Sequence, residues 1–172
     1  MQFLFIITLL LGLTFARPKL PRVALAQFHL EPFNLTGMGV ECTKKNTNSS
    51  LFGCSIQFKW EDPNANKSCT CKEDWQWNGV PQSQGPMNNY STEYIVCKND
   101  RTELFQFKFM DMFDLSNFSL SLTHENFPAP TMANMFSQPN ITLKLIEKSN
   151  TTMVYSSACD CPIKANITGI TI

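Results

Sequence analysis

The strongest constraint on the fold is a two-residue rhythm of apolar side chains. Cys54, Ile56, Phe58 and Trp60 alternate with Ser55, Gln57, Lys59 and Glu61, and Asp62-Pro63-Asn64 follows. A strand sends successive side chains to opposite faces, so this run has one dry face and one wet face. Asp-Pro-Asn closes it as a turn. The same rhythm recurs at Phe105, Phe107 and Phe109, at Phe118, Leu120 and Leu122, and at Ile141, Leu143 and Leu145. Weaker runs lie at Ala26–Phe33, Glu93–Cys97, Thr151–Ser156 and Ile163–Ile172. No long amphipathic helix competes, although short helical turns are expected near Leu20–Leu25 and Thr131–Phe136. Short strands joined by turns rich in Asn, Pro and Ser predict an all-β fold, an antiparallel β-sandwich or β-barrel. Two long connections, Asn78 to Tyr90 and Glu125 to Pro139, are the places to look for binding residues.

The chain opens on an apolar run of about 13 residues, Phe3 to Phe15, where a bilayer span needs about 20. Thr14-Phe15-Ala16 supplies small residues for cleavage. The expected organisation is a cleaved signal peptide over 1–16, a flexible N-terminus or pro-segment over 17–26, and a single β domain over 27–172. The C-terminal stretch carries Lys164, Asn166 and Thr168, so it does not match a lipid-anchor signal.

Eight Asn-X-Ser/Thr sequons support a secreted, extracellular destination: Asn34, Asn48, Asn66, Asn89, Asn117, Asn140, Asn150 and Asn166. They also check the register. Asn117, Asn140 and Asn166 each precede an apolar residue assigned to the dry face, so the alternation turns each Asn toward water. The seven cysteines, Cys42, Cys54, Cys69, Cys71, Cys97, Cys159 and Cys161, are disulfide candidates in such a chain. Local closure predicts Cys42 with Cys54, and Cys97 with Cys69 or Cys71. The remaining Cys-X-Cys cysteines are expected to link to Cys159 or Cys161, with one thiol left over.

Composition narrows the function. Lys+Arg and Asp+Glu both number 14, so there is no electrostatic case for nucleic acid or for an anionic membrane. No cofactor or metal is expected, because the Cys-X-Cys pairs are spaced too tightly for the usual zinc pattern and no histidine adjoins them. Three sets of residues are candidates for chemistry, two catalytic and one sugar-binding. His124 beside Glu125 has the makings of a general base, but no nucleophile signature accompanies it, and a polar residue at a strand end is the preferred reading. Asp111 and Asp114 have the makings of a glycosidase pair; a turn between strands is preferred. Trp75 and Trp77 share one face of an extended segment, and core packing is preferred over a sugar platform. No catalytic residue is assigned.

The order of features from Phe28 to His124 resembles the small secreted fungal proteins of the Alternaria major allergen family. The carriers are Phe28–Phe33 as an opening strand, Cys42, the Cys54–Trp60 run with Asp62-Pro63-Asn64, and the Cys69/Cys71 pair with Trp75. Cys97, Phe105–Phe109 and Asn117–His124 complete them. The resemblance implies a compact β-barrel or β-sandwich without an established catalytic site, often a homodimer. It also implies a non-enzymatic effector or allergen at a host interface, with a host extracellular protein or glycan as partner. An extracellular β-barrel binding a small apolar ligand or glycan is the alternative, and a secreted hydrolase ranks third.

Overall fold

A computed structural model describes residues 28–127, 133–159 and 161–171. The expected leader over 1–16, the segment over 17–26 and the helical turn near Leu20–Leu25 lie outside the described residues. The strands are β1 (Phe33–Thr43), β2 (Phe52–Asp62), β3 (Lys67–Trp77), β4 (Ile95–Asn99), β5 (Glu103–Asp114) and β6 (Asn117–Asn126). They continue as β7 (Ala133–Ser137), β8 (Asn140–Thr142), β9 (Lys144–Lys148), β10 (Thr152–Ser156), β11 (Ile163–Ala165) and β12 (Ile167–Thr171). No helix occurs among the described residues.

The strands form two antiparallel sheets of six. The first runs β3-β2-β1-β10-β9 with β11 also on β1; the second runs β12-β7-β6-β5-β4 with β8 also on β6. Their inner faces meet through aromatic rings, giving the sandwich form of the expected fold. Phe58 meets Phe107 at 5.2 Å, Trp60 meets Phe105 at 4.9 Å, and Trp75 meets Phe109 at 5.7 Å, all edge to face. Each such pair adds about 0.5–1.5 kcal/mol beyond the area it buries. Phe58, Trp60, Phe105, Phe107 and Phe109 are all at most 1% exposed, so rings fill the space between the sheets. Trp75 and Trp77 are core residues, at 5% and 4% exposed.

The structure corrects several expected boundaries. The opening run is not a strand: 28–32 are irregular, with Phe28 and Leu30 half-buried against the core, and β1 begins at Phe33. Pro32 has no backbone N–H to give a ladder. The expected helical turn at Thr131–Phe136 is strand β7 in its described part, and the expected Glu125–Pro139 loop holds the end of β6 as well as β7. The Ile141–Leu145 run is two strands. Leu143 N donates to Ser116 O at 2.9 Å, and the chain then crosses to the other sheet, where Leu145 is 46% exposed. The C-terminal run likewise divides at Asn166 into β11 in one sheet and β12 in the other.

Candidate functional site

Chemistry-bearing side chains concentrate at three places. The first is a buried polar cluster between the sheets. His124 lies near the end of β6, where the sequence places a polar strand-end residue, but it has no exposed surface, and its ring stacks on Phe105 with centroids 3.7 Å apart. Its Nδ1 lies 2.7 Å from Oδ2 of Asp62, which is equally buried. An ionised carboxylate only accepts, so Nδ1 carries the hydrogen. Asp62 Oδ1 accepts from the backbone N of Asn64 at 2.8 Å and from its Nδ2 at 2.9 Å. The same Asn64 ties down the N-terminal segment through the Glu31 backbone. On the other side of the ring, Nε2 faces Glu103 Oε2 at 3.8 Å. Glu103 is 1% exposed and pairs with Lys98, with Lys67 Nζ at 3.8 Å. Buried Glu103 thus meets two lysines, and buried Asp62 meets His124 and Asn64, which offsets the cost of burying the two carboxylates. The arrangement can hold and orient a proton, but a substrate has no route to a ring without exposed surface. Sequence reasoning missed Asp62 and Glu103 as partners of His124.

The second place is a sulfur cluster. Cys42 is bonded to Cys54, its directly opposed partner across β1 and β2, as the spacing predicts. Cys71 is bonded to Cys97. This bond joins β3 to β4, the edge strands of opposite sheets, and on the chain-entropy model stabilises by roughly 3–4 kcal/mol. The expected link from the first Cys-X-Cys pair to the second is not made. Cys159 closes on Cys161, and Cys69 is free. The sheet order explains this. Cys159 and Cys161 follow β10, which lies three strand positions from β3, or about 14 Å. Burial pushes the Cys69 thiol up to about 12, with Lys98 lowering it and Glu103 raising it.

The third place is the 78–90 loop, which the structure keeps as a loop. Hydrogen bonds fasten it on both sides. Trp77 Nε1 donates to Val80 O at 2.9 Å, Asn78 N to Met87 O at 2.9 Å, and Gln82 N to Phe113 O at 3.0 Å. Buried Asn88 donates through Nδ2 to Gln82 O and to Met112 O. Gly79 sits at φ +88, and a Cβ there would lie 2.9 Å from the Phe52 ring, so only glycine fits. This fastened loop holds Val80 57% and Met87 40% exposed, and the adjoining Phe113 is 54% exposed.

Asp111 and Asp114 lie in the last part of β5, opposite Ser119 and Asn117 of β6, where the chain turns back. Asp114 Oδ1 accepts from Ser116 N at 2.8 Å within the β5–β6 hairpin. Both line an open groove of about 480 Å³ with Asn117 and Asn140. Seven of the eight sequon asparagines are exposed, and Asn34 is half-buried in β1. Oδ1 of Asn34 accepts from Lys164, and Oδ1 of Asn89 accepts from Gln76 N. A glycan attaches at Nδ2, so both contacts are compatible with glycosylation.

No protein-family model matches this sequence, and no curated protein and no solved structure matches the chain.

Proposed function

We propose that this is a secreted, N-glycosylated, non-enzymatic interaction protein of the fungal effector or allergen type that its strand order resembles. Its contact surface is the 78–90 loop with the end of β5, and its partner is a host extracellular protein or glycan. The observation that carries the reading is the loop itself: hydrogen bonds to β3 and β5 hold it in place while Val80, Met87 and Phe113 stay in water. Apolar side chains held out by a rigid support match the anchors of protein interfaces, since little ordering entropy is lost on contact. Burial of His124, Asp62 and Glu103 supports a structural role for this histidine–carboxylate cluster.

Two measurements test the reading. Enzymatic deglycosylation of protein from a eukaryotic secretory host lowers the apparent mass in steps; no shift removes the extracellular argument. A Val80→Asp, Met87→Asp double variant keeps its β-spectrum and loses capture of the host partner. Equal capture by both proteins, or turnover of a cell-wall glycan or ester that disappears on replacing His124, overturns it.

A further inference from the structure

The Sγ atoms of Cys69, Cys71 and Cys97 lie within 4.8 Å of one another, and Cys69 Sγ is 3.9 Å from Cys71 Sγ. Two features of the chain bring them together. Cys69 and Cys71 are two positions apart on β3, so both point to its inner face. Cys97 sits where the β4–β5 register slips: Val96 pairs with Gln106 and Lys98 with Phe105, leaving Cys97 unpaired in a bulge. A bulge re-aims the extra residue, here across the gap between sheets to β3. The third sulfur is therefore not a distant leftover. It is half-buried against the bond that staples the two sheet edges.

We propose that Cys69 is a built-in exchange partner for the Cys71–Cys97 disulfide, giving the staple a second position, Cys69–Cys97. The Cys69 thiolate attacks Sγ of Cys97, and the Cys69–Cys97 bond forms as the Cys71–Cys97 bond breaks. The electron pair leaves on Cys71 Sγ, which takes up a proton to replace the one Cys69 lost. The step is an isomerisation and consumes no oxidant or reductant.

The surroundings gate the step. The thiolate is the attacking form, and burial pushes the Cys69 thiol up to about 12, with Lys98 of β4 opposing and Glu103 of β5 assisting. Lys67, two positions before Cys69 on β3, faces Glu103 at 3.8 Å. The staple is consequently fixed near neutrality, and exchange speeds up about tenfold per pH unit as pH rises toward 12. In its second position the anchor on β3 moves two residues, about 7 Å along the strand, toward Lys67 and the buried acid–histidine cluster.

Non-reducing peptide mapping after thiol blocking tests this in the full chain. In Cys71→Ala the expected result is a Cys69–Cys97 peptide with Cys69 unavailable to alkylation. Wild-type protein held at about pH 10 and acid-quenched yields a fraction of the same peptide, about tenfold less at a given time at about pH 9, and this arm stands even where Cys71→Ala does not fold. A folded Cys71→Ala protein with both Cys69 and Cys97 alkylated overturns the proposal. So does wild-type protein that shows only Cys71–Cys97 after incubation at pH 9 to 10.

Discussion

Replacing Asp62 by alanine is the most direct test of what the buried polar cluster does. Asp62 and His124 have no exposed side-chain surface, and the carboxylate takes the imidazole Nδ1–H at 2.7 Å. It also takes two hydrogens from Asn64 in the turn that follows β2. Alanine removes all three contacts, but they do not count equally. Asn64 is exposed, so water replaces the aspartate there at little cost. The imidazole lies between the sheets, and its donor is left with nothing. Breaking a buried pair by removing one member costs about 3–5 kcal/mol, of which an orphaned donor accounts for about 1–3 kcal/mol. We expect a loss of about 3–4 kcal/mol in urea unfolding, with the slope unchanged. A slope of about 1–3 kcal/mol/M turns this into a midpoint lowered by more than about 1 M. A second variant isolates the cause. Asp62→Leu combined with His124→Phe removes donor and acceptor together and keeps a ring where His124 stacks on Phe105 at 3.7 Å. An apolar pair of similar shape leaves no orphan, so the double variant recovers most of the loss. A cost below about 1 kcal/mol for Asp62→Ala would refute the burial argument. A double variant no more stable than the single one would refute the orphaned donor as its cause.

Two further outcomes follow from the same geometry. Phe107 is fully buried and meets Phe58 edge to face at 5.2 Å, so Phe107→Ala loses about 3–5 kcal/mol in denaturant unfolding, and a loss under about 1 kcal/mol contradicts a filled interior. Asp100 caps the β4–β5 turn, and its carboxyl is held down at about 2 against an ordinary 3.8, first by the Thr102 backbone N–H and then by the Thr102 hydroxyl. A depressed carboxyl stabilises the fold above its ordinary value and loses that contribution as pH falls toward 2. Carboxyl titration by NMR should place Asp100 near 2, and a midpoint at the ordinary value would remove the cap.

The strand rhythm is legible wherever the ladder is regular, as along Cys54–Trp60 and Phe105–Phe109, because alternation records which side is dry. It does not record which neighbour supplies the hydrogen bonds. Ile141, Leu143 and Leu145 therefore read as one strand, although the chain changes sheets at Leu143. Bulges hide strands for a related reason. In β1 the buried positions are Phe33 and Leu35, then Met38, Val40 and Cys42. The register slips between Thr36 and Gly39, with Gly37 at φ 59. One extra residue flips the parity, so a strict two-residue count finds no strand there. The buried cluster, in contrast, is written in the rhythm. Asp62 is the next inward beat after Trp60, His124 the next after Leu122, and Glu103 the beat before Phe105. All three continue dry rows with polar side chains, and each is at most 1% exposed. The β5–β6 register sets Phe105 opposite His124 and Glu103 opposite Asn126, so rows from both sheets end at the same end of the sandwich. A buried charge is tolerated only where another meets it. Three polar residues in step with three apolar rows therefore predict one another, and that shared parity is the signal in the sequence that pairs His124 with Asp62.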